Sequence, residues 1–320
     1  MKKIVVTGAG GFIAGHLVAA LKEQGHRVRA VDKKPLNEWY QVFPDVENLV
    51  LDLNFRDNCY QAADGCNEVY NLAADMGGMG FIEIHKAECM LSVLINTHML
   101  MASRDSNVER YFYSSSACVY NGEKQTDPNN PGLKESDAYP ALAEDGYGWE
   151  KLFSERMCRH FHEDYGLITR IARYHNVYGP FGTYEGGREK APAAICRKII
   201  EAKATGKEDI IIWGDGEQTR SFMYIDDCIK GTLDIMYSDI QEPINLGSSE
   251  MVSINQLVSM VEDIGGIQLK RVYDLDAPKG VRGRNSDNTL IKKYLNWEPS
   301  IPLKEGMKKT YDWIAEQMTT

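Results

Sequence analysis

No segment of the chain gathers lysine and arginine around aromatic residues, and no apolar run is long enough to cross a bilayer. Acidic residues outnumber basic ones, 46 to 36, giving a formal net charge of -10. A nucleic-acid surface and a membrane span are both excluded as expectations, and any anionic ligand must be met by local groups. There is no C-x-x-C pair: the seven cysteines are scattered and odd in number, which argues against a disulfide framework or a zinc site. His160-x-His162 has no Cys or carboxylate cluster beside it, so no metal is expected. Low-complexity tracts and fixed-period repeats are absent. The opening MKKIVVTG enters a strand pattern without a cleavable apolar region, so the cytoplasm is the expected location.

What is present is ordinary globular composition, 43% hydrophobic and 26% charged over 320 residues, enough for two domains or one domain with a large appendage. Short Val/Ile-rich runs predict strands at 3–7, 27–32, 47–52, 68–73, 110–115 and 168–175. Between them, apolar residues at three- and four-residue spacing predict helices, the clearest at 12–24, 82–104 and 147–165. That alternation is the pattern of a doubly wound parallel α/β sheet. After Tyr178 a Gly-rich charged loop, GPFGTYEGGREKAP, interrupts it. Helices are expected at 191–204, 226–237, 254–264 and 303–317, with strands near 209–213 and 243–246. The expected division is a nucleotide-binding domain of 1–178 plus about 219–247, and a smaller C-terminal α/β substrate-binding lobe of about 179–218 plus 248–320.

Thr7-Gly8-Ala9-Gly10-Gly11-Phe12-Ile13-Ala14 follows the first strand and opens the first helix, where backbone amides can cradle a pyrophosphate. The second strand ends in Asp32, about 20 residues on, where a carboxylate accepts from an adenosine ribose and repels a 2'-phosphate. The combination predicts a Rossmann-type site for NAD, tempered slightly by Lys33 and Lys34. Asp52 with Leu53, and Leu72, Ala73 and Ala74, end the next two strands, where adenine and the remaining ribose would rest. Asp52 could instead cap a helix over the FRDNCYQ segment. Tyr147-x-x-x-Lys151 places a phenol and an ammonium on one helix face, where the cation favours the phenolate and a hydride-transfer site follows.

TGAGGFIA, Asp32, NLAA, SSSA and Y-x-x-x-K together resemble the extended short-chain dehydrogenase/reductase family, in its nucleotide-sugar branch. The resemblance runs to the closing LNWEPSIPLKEGMKKTYDWI, with Ala14 replacing the usual third glycine. Within that branch, dehydratases carry an acidic pair where this chain has Ala117-Cys118, so elimination is disfavoured. A thiol there can exchange a proton with a carbon acidified by a neighbouring ketone, and Lys190 in the Gly-rich loop is the candidate second group. Cys118 could also simply fill space, and Lys190 could only bind phosphate.

More specific segments, NLAADMGGMGFI, SSACVY, YGPFGTYEGGREKAPAA, WGDGEQTRSF and VRGRNSDN, resemble the GDP-mannose 3,5-epimerase group. That resemblance implies that Gly77 and Ser116 contact the sugar, that Tyr147 is the base for hydride transfer at C4, and that Cys118 and Lys190 exchange protons at C5 and C3. It implies a GDP-sugar, GDP-mannose or a close relative, bound by Asn176, Glu189, Ala191, Lys198, Gln218, Arg220, Arg284 and Ser286. It also implies a homodimer through the helices near 82–104 and 147–165. The alternatives are a 4-epimerase or 4-keto-sugar epimerase or reductase on a related GDP-sugar or heptose, and a non-catalytic NAD sensor, whose mark would be loss of Tyr or Lys.

Overall fold

The computed structural model describes residues 1–278 and 280–319. Its first half alternates β1 (Lys3–Thr7), α1 (Phe12–Glu23), β2 (Arg27–Asp32), β3 (Glu47–Val50), α2 (Arg56–Ala63), β4 (Glu68–Asn71), α3 (Met79–Ile84), α4 (Lys86–Asp105), β5 (Arg110–Ser116), α5 (Tyr147–Tyr165) and β6 (Ile168–Tyr174). The remainder holds β7 (Val177–Tyr178), α6 (Ala191–Thr205), β8 (Asp209–Trp213), β9 (Thr219–Ser221), β10 (Met223–Tyr224), α7 (Ile225–Met236) and β11 (Ile244–Leu246). It closes with β12 (Met251–Ser253), α8 (Ile254–Gly265), β13 (Lys270–Asp274), β14 (Gly283–Arg284), α9 (Thr289–Leu295) and α10 (Leu303–Thr319).

Seven strands form one sheet in the order β11-β6-β5-β4-β1-β2-β3, and every pairing in it is parallel. Alternate strand residues feed two separate apolar layers. Ile4, Val6, Tyr70 and Phe112 face one, while Val5, Val31, Val69, Tyr111 and Ile171 face the other, as a sheet covered by helices on both sides requires. The doubly wound reading holds. The chain departs from β1 toward β2 on one side and toward β4 on the other, so the ligand crevice opens between the ends of β1 and β4. Short sheets, β12-β9-β14 and β13-β8, lie outside this main sheet.

Three differences from expectation have physical causes. The helix expected over 82–104 is broken: His85, at φ -117 and ψ 41, ends α3 and caps α4, although the apolar spacing runs straight through it. The strands expected to 52 and 73 stop at Val50 and Asn71, because Asp52 and Ala73 turn out of the sheet into the crevice. Strands of two or three residues, such as β7 and β14, are too short to show a period.

A buried ion pair ties the sheet to α5. Arg173 donates through Nε and Nη2 to the two Glu155 carboxylate oxygens at 2.9 and 2.7 Å, and Ser115 donates to the same carboxylate at 2.5 Å. Glu155→Ala should leave the guanidinium buried and uncompensated, costing about 3–5 kcal/mol, whereas Glu155→Leu with Arg173→Met should recover most of that. Denaturant midpoints at constant m-value measure it; a single variant as stable as the parent would refute the argument.

Candidate active site

A cavity of about 480 Å³ lies at the strand ends, lined by Gly8, Gly11, Phe12 and Ile13, by Asp32, Asp52, Leu53, Leu72, Ala73 and Ala74, and by Ser116, Tyr147, Lys151 and Lys190. Gly8 (φ +73) makes the turn out of β1, and a Cβ there would lie 3.0 Å from the Ala73 amide nitrogen. The two strand ends therefore approach backbone to backbone. Gly11 caps α1 without a side-chain hydrogen bond, and no acidic residue stands in the first turn, leaving amides free for an anion. Gly10 does not line the cavity. It lies under Trp39, where a Cβ would meet the indole at 2.6 Å, and its amide donates to Asp32 Oδ2 at 3.0 Å.

Asp32 Oδ1 accepts from the Lys34 amide at 3.0 Å, so the carboxylate holds the glycine turn while its remaining lone pairs face the cavity. Lys33 pairs with Asp75 at 2.8 Å, and the Lys34 ammonium donates to the Gly10 carbonyl at 3.1 Å. Both cations that could have favoured a 2'-phosphate are thus engaged. Asp52 forms a local turn, accepting from the Asn54 amide and side chain, both at 2.9 Å, while Phe55 occupies the cap of α2; the capping alternative for Asp52 is not what forms. An open cradle at a helix N-terminus, with a ribose-accepting carboxylate beside it, fits NAD.

Tyr147 opens α5, Lys151 lies one turn further on, and both are buried. The Lys151 Nζ stands 5.4 Å from the Tyr147 ring centroid and 4.8 Å from that of Tyr113. Burial pushes the Tyr147 phenol well above its ordinary pKa, with Cys118 and Glu150 adding to the rise and the Ser116 hydroxyl opposing it. Desolvation thus favours the protonated phenol, the reverse of the ionised state that the Tyr147/Lys151 spacing predicts. Glu150 is the residue missed by sequence reading: Oε1 accepts from Tyr113 and Ser154 at 3.0 and 2.9 Å, and Oε2 sits 3.5 Å from Lys151 Nζ.

Cys118 follows β5, its amide donating to the Ser116 hydroxyl at 3.2 Å. It packs with Phe81, Ile82, Cys89 and Tyr147, behind the cavity wall. Burial, with Glu144 next, pushes its thiol up to about 11. Lys190 caps α6; burial lowers its ammonium, with Cys118 opposing. The loop bearing it is clamped to α3: Gly78 donates to the Arg188 carbonyl at 3.0 Å, and a Cβ on Gly78 would lie 2.4 Å from the Glu189 carbonyl oxygen.

The remaining candidates fall into two groups. Arg284 Nη1 reaches the Cys118 sulfur at 3.5 Å, and Arg220, lowered to about 9 by burial and then by Arg284, adjoins the same cluster. Gln218 donates to the Trp213 carbonyl at 2.8 Å with its Oε1 unpartnered, and Lys198 donates to the Ile211 carbonyl at 2.8 Å. Several polar side chains are spent internally: Asn176 (φ +44) on the Ser221 carbonyl, Glu189 on Gly187 and Arg197, and Ser286 on Asn288. Gly77 is buried with its Cβ position filled by Phe81, and Ala191 opens α6.

The model for the NAD dependent epimerase/dehydratase family matches residues 4–247. The chain belongs to that family. Among its curated relatives, GDP-mannose 3,5-epimerase of Arabidopsis thaliana is 49% identical over 99% of this chain and 83% of its own length. GDP-mannose 3,5-epimerase 1 of Oryza sativa subsp. japonica is 47% identical over 99% and 82%. Among solved structures, the UDP-glucose 4-epimerase of Thermotoga maritima with UDP-glucose superposes with a TM-score of 0.88 at 25% identity, covering 99% of both chains. MoeE5 in complex with UDP-glucose and NAD gives 0.80 at 27% identity, again covering 99% of both. NAD is the cofactor of this family member.

Gly148 was not legible as a site residue, yet a Cβ on it would lie 2.2 Å from the Cys118 carbonyl oxygen. Gly148→Ala must therefore push α5 away from Cys118, displacing Tyr147 by roughly 1 Å, a misplacement that costs on the order of a hundredfold in turnover. Steady-state kinetics on folded, NAD-loaded protein tests this, and parental activity would show that the approach has no catalytic role.

Proposed function

We propose that the chain is an NAD-dependent epimerase that inverts C5 and C3 of GDP-mannose, yielding GDP-L-gulose when C5 alone inverts and GDP-L-galactose when both do. The observation that carries this reading is the convergence of a thiol and an amine, Cys118 and Lys190, on a site whose phenol and ammonium are Tyr147 and Lys151. The near-complete coverage of the Arabidopsis and rice enzymes supports the substrate. A plain C4 epimerase would leave the thiol and the amine without work.

When bound, NAD supplies a cationic nicotinamide ring that accepts hydride from C4 and later returns it. Gly8, Gly11 and the first turn of α1 hold its pyrophosphate, Asp32 its ribose, and Lys151 the nicotinamide ribose. Tyr147 Oη, once its own proton has passed to solvent with the cationic ring beside it, takes the C4 hydroxyl proton and gives it back at the end. With a ketone at C4, the C5 and C3 protons become acidic. Lys190, whose ammonium burial makes easier to deprotonate, accepts a proton at Nζ once it has released its own to solvent, and Cys118, its pKa raised, offers a thiol that donates one from Sγ. Ser116 donates to the oxyanion. Arg220, whose charge is disfavoured by burial and by Arg284, supplies a cation that an anionic diphosphate relieves, with Arg284 beside it. Seven free cysteines suit a reducing cytoplasm.

The assembly we infer is a homodimer. Met90, Leu91 and Leu94 on α4 and Trp149 and Phe153 on α5 present large apolar side chains to solvent, Leu91 and Phe153 at 55% and 52% exposure. Their three- and four-residue spacing makes one stripe across two packed helices, which a second copy would cover. Leu91→Glu should convert the protein to a monomer in sedimentation velocity; an unchanged profile places the contact elsewhere.

The reaction is tested with GDP-mannose in deuterated buffer, followed by NMR. Deuterium should enter at C5, and at C3 if both centres invert. Cys118→Ala and Lys190→Ala should each lose on the order of a hundredfold or more of that exchange, while substrate still reduces part of the bound NAD, seen as nicotinamide absorbance. Exchange at the parental rate in both variants would leave a C4 epimerase or reductase as the better reading.

A further inference from the structure

Glu144 stands three residues before Tyr147 and was not singled out by sequence. Its amide donates to the Cys118 carbonyl at 2.9 Å. Its carboxylate Oε2 accepts from Arg284 Nη2 at 3.2 Å with only 16% of the side chain exposed. The same guanidinium donates through Nη1 to the Cys118 sulfur at 3.5 Å and through Nε to Gln125 Oε1 at 2.7 Å. Gln125 is itself fixed by bonds to the Tyr120 and Asn121 carbonyls, both at 3.3 Å. Arg284 therefore cannot swing away from the thiol.

A guanidinium at that distance, left unopposed, stabilises a thiolate. The ionisable groups facing Cys118 from the surrounding elements are Arg284, Arg220, Lys190, Tyr147 and Glu144. Three of them are basic and a fourth is a protonated phenol, so Glu144 is the one anion in the set. Resting on the epimerase reading, we propose that Glu144 is the positioning residue of the carbon-acid step. Tied to Cys118 through its amide and to Arg284 through its carboxylate, it cancels the guanidinium at the thiol and keeps the proton on sulfur.

The consequence is a direction for the proton traffic. Lys190 Nζ takes the carbon-bound proton, and the electron pair moves onto the C4 ketone oxygen. When the pair returns to carbon, the Cys118 S–H bond breaks and its proton goes to that carbon, leaving a thiolate. The thiolate recovers a proton from solvent and Lys190 releases one, so no net proton is consumed. Glu144 gains and loses nothing: burial would raise its carboxyl, but Arg284 more than offsets this and holds it below the usual range. The raised thiol, about 11, is the state this arrangement favours.

The test titrates the thiolate by ultraviolet absorbance in NAD-loaded protein without substrate, each protein referenced to its Cys118→Ser counterpart. Glu144→Gln should lower the Cys118 midpoint by about one pH unit or more, a tenfold gain in thiolate at a given pH, and Glu144→Asp should recover part of the shift. Arg284→Gln should move the midpoint upward. If Glu144→Gln does not fold, the Asp variant and the Arg284 shift still decide the matter. A midpoint unmoved or raised by loss of the Glu144 charge overturns the proposal. Because no substrate is present, that failure is distinct from failure of the epimerase reading, which would appear as absent deuterium at C5 and C3 in the parent protein.

Discussion

The close approach of α5 to the chain leaving β5 is the constraint on which the site depends. Gly148 lets the first turn of the helix settle against the Cys118 carbonyl, at a separation no side chain would allow. The Glu144 amide bonds to that same carbonyl. One peptide oxygen thus registers the phenol, the ammonium, the thiol and the carboxylate relative to one another. Farther along the helix, Glu155 grips Arg173 on the neighbouring strand, so the helix cannot slide along the sheet. Packing of the two apolar layers gives the fold its stability, but these two contacts give the site its geometry.

Charge is distributed to suit two different ligand ends. At the cradle before α1, Asp32 is the dominant feature; Lys33 is paired with Asp75, and the Lys34 ammonium is hydrogen-bonded to the Gly10 carbonyl. Around Cys118, Arg284 pairs with Glu144, and Arg220 is driven down to about 9 by burial and by Arg284. An acidic protein thereby attracts an anion locally without a basic surface, since short-range groups in a low-dielectric pocket outweigh the screened net charge.

Much of this was legible in the sequence, and what was not has identifiable causes. The Val/Ile runs of β1 and β2, the aromatic run of β5, the glycine turn before α1 and the Tyr147/Lys151 spacing each carry a local pattern, and local patterns survive in one dimension. The break at His85 does not, because helical periodicity continues on both sides of it. Gly148 reads as a mild helix defect until the neighbouring carbonyl is seen. Glu144 and Glu150 lie in AEDGYGWEK, a stretch that looks like solvated surface; Glu150 is 2% exposed. Their partners, Arg284 and Tyr113, are distant in sequence, so nothing at short range announces them.

The electrostatics also order the chemistry. Burial acts with opposite sign on acids and bases at the site: it raises Tyr147 and Cys118 and lowers Lys190. The phenol and the thiol are thereby kept protonated as donors, and the ammonium is made easier to deprotonate. Charge separation is deferred until a ligand brings compensation, a cationic ring for the phenolate and a ketone for the carbanion. On the proposed mechanism the ketone at C4 is what makes the C5 and C3 protons acidic, so oxidation at C4 precedes exchange at its neighbours.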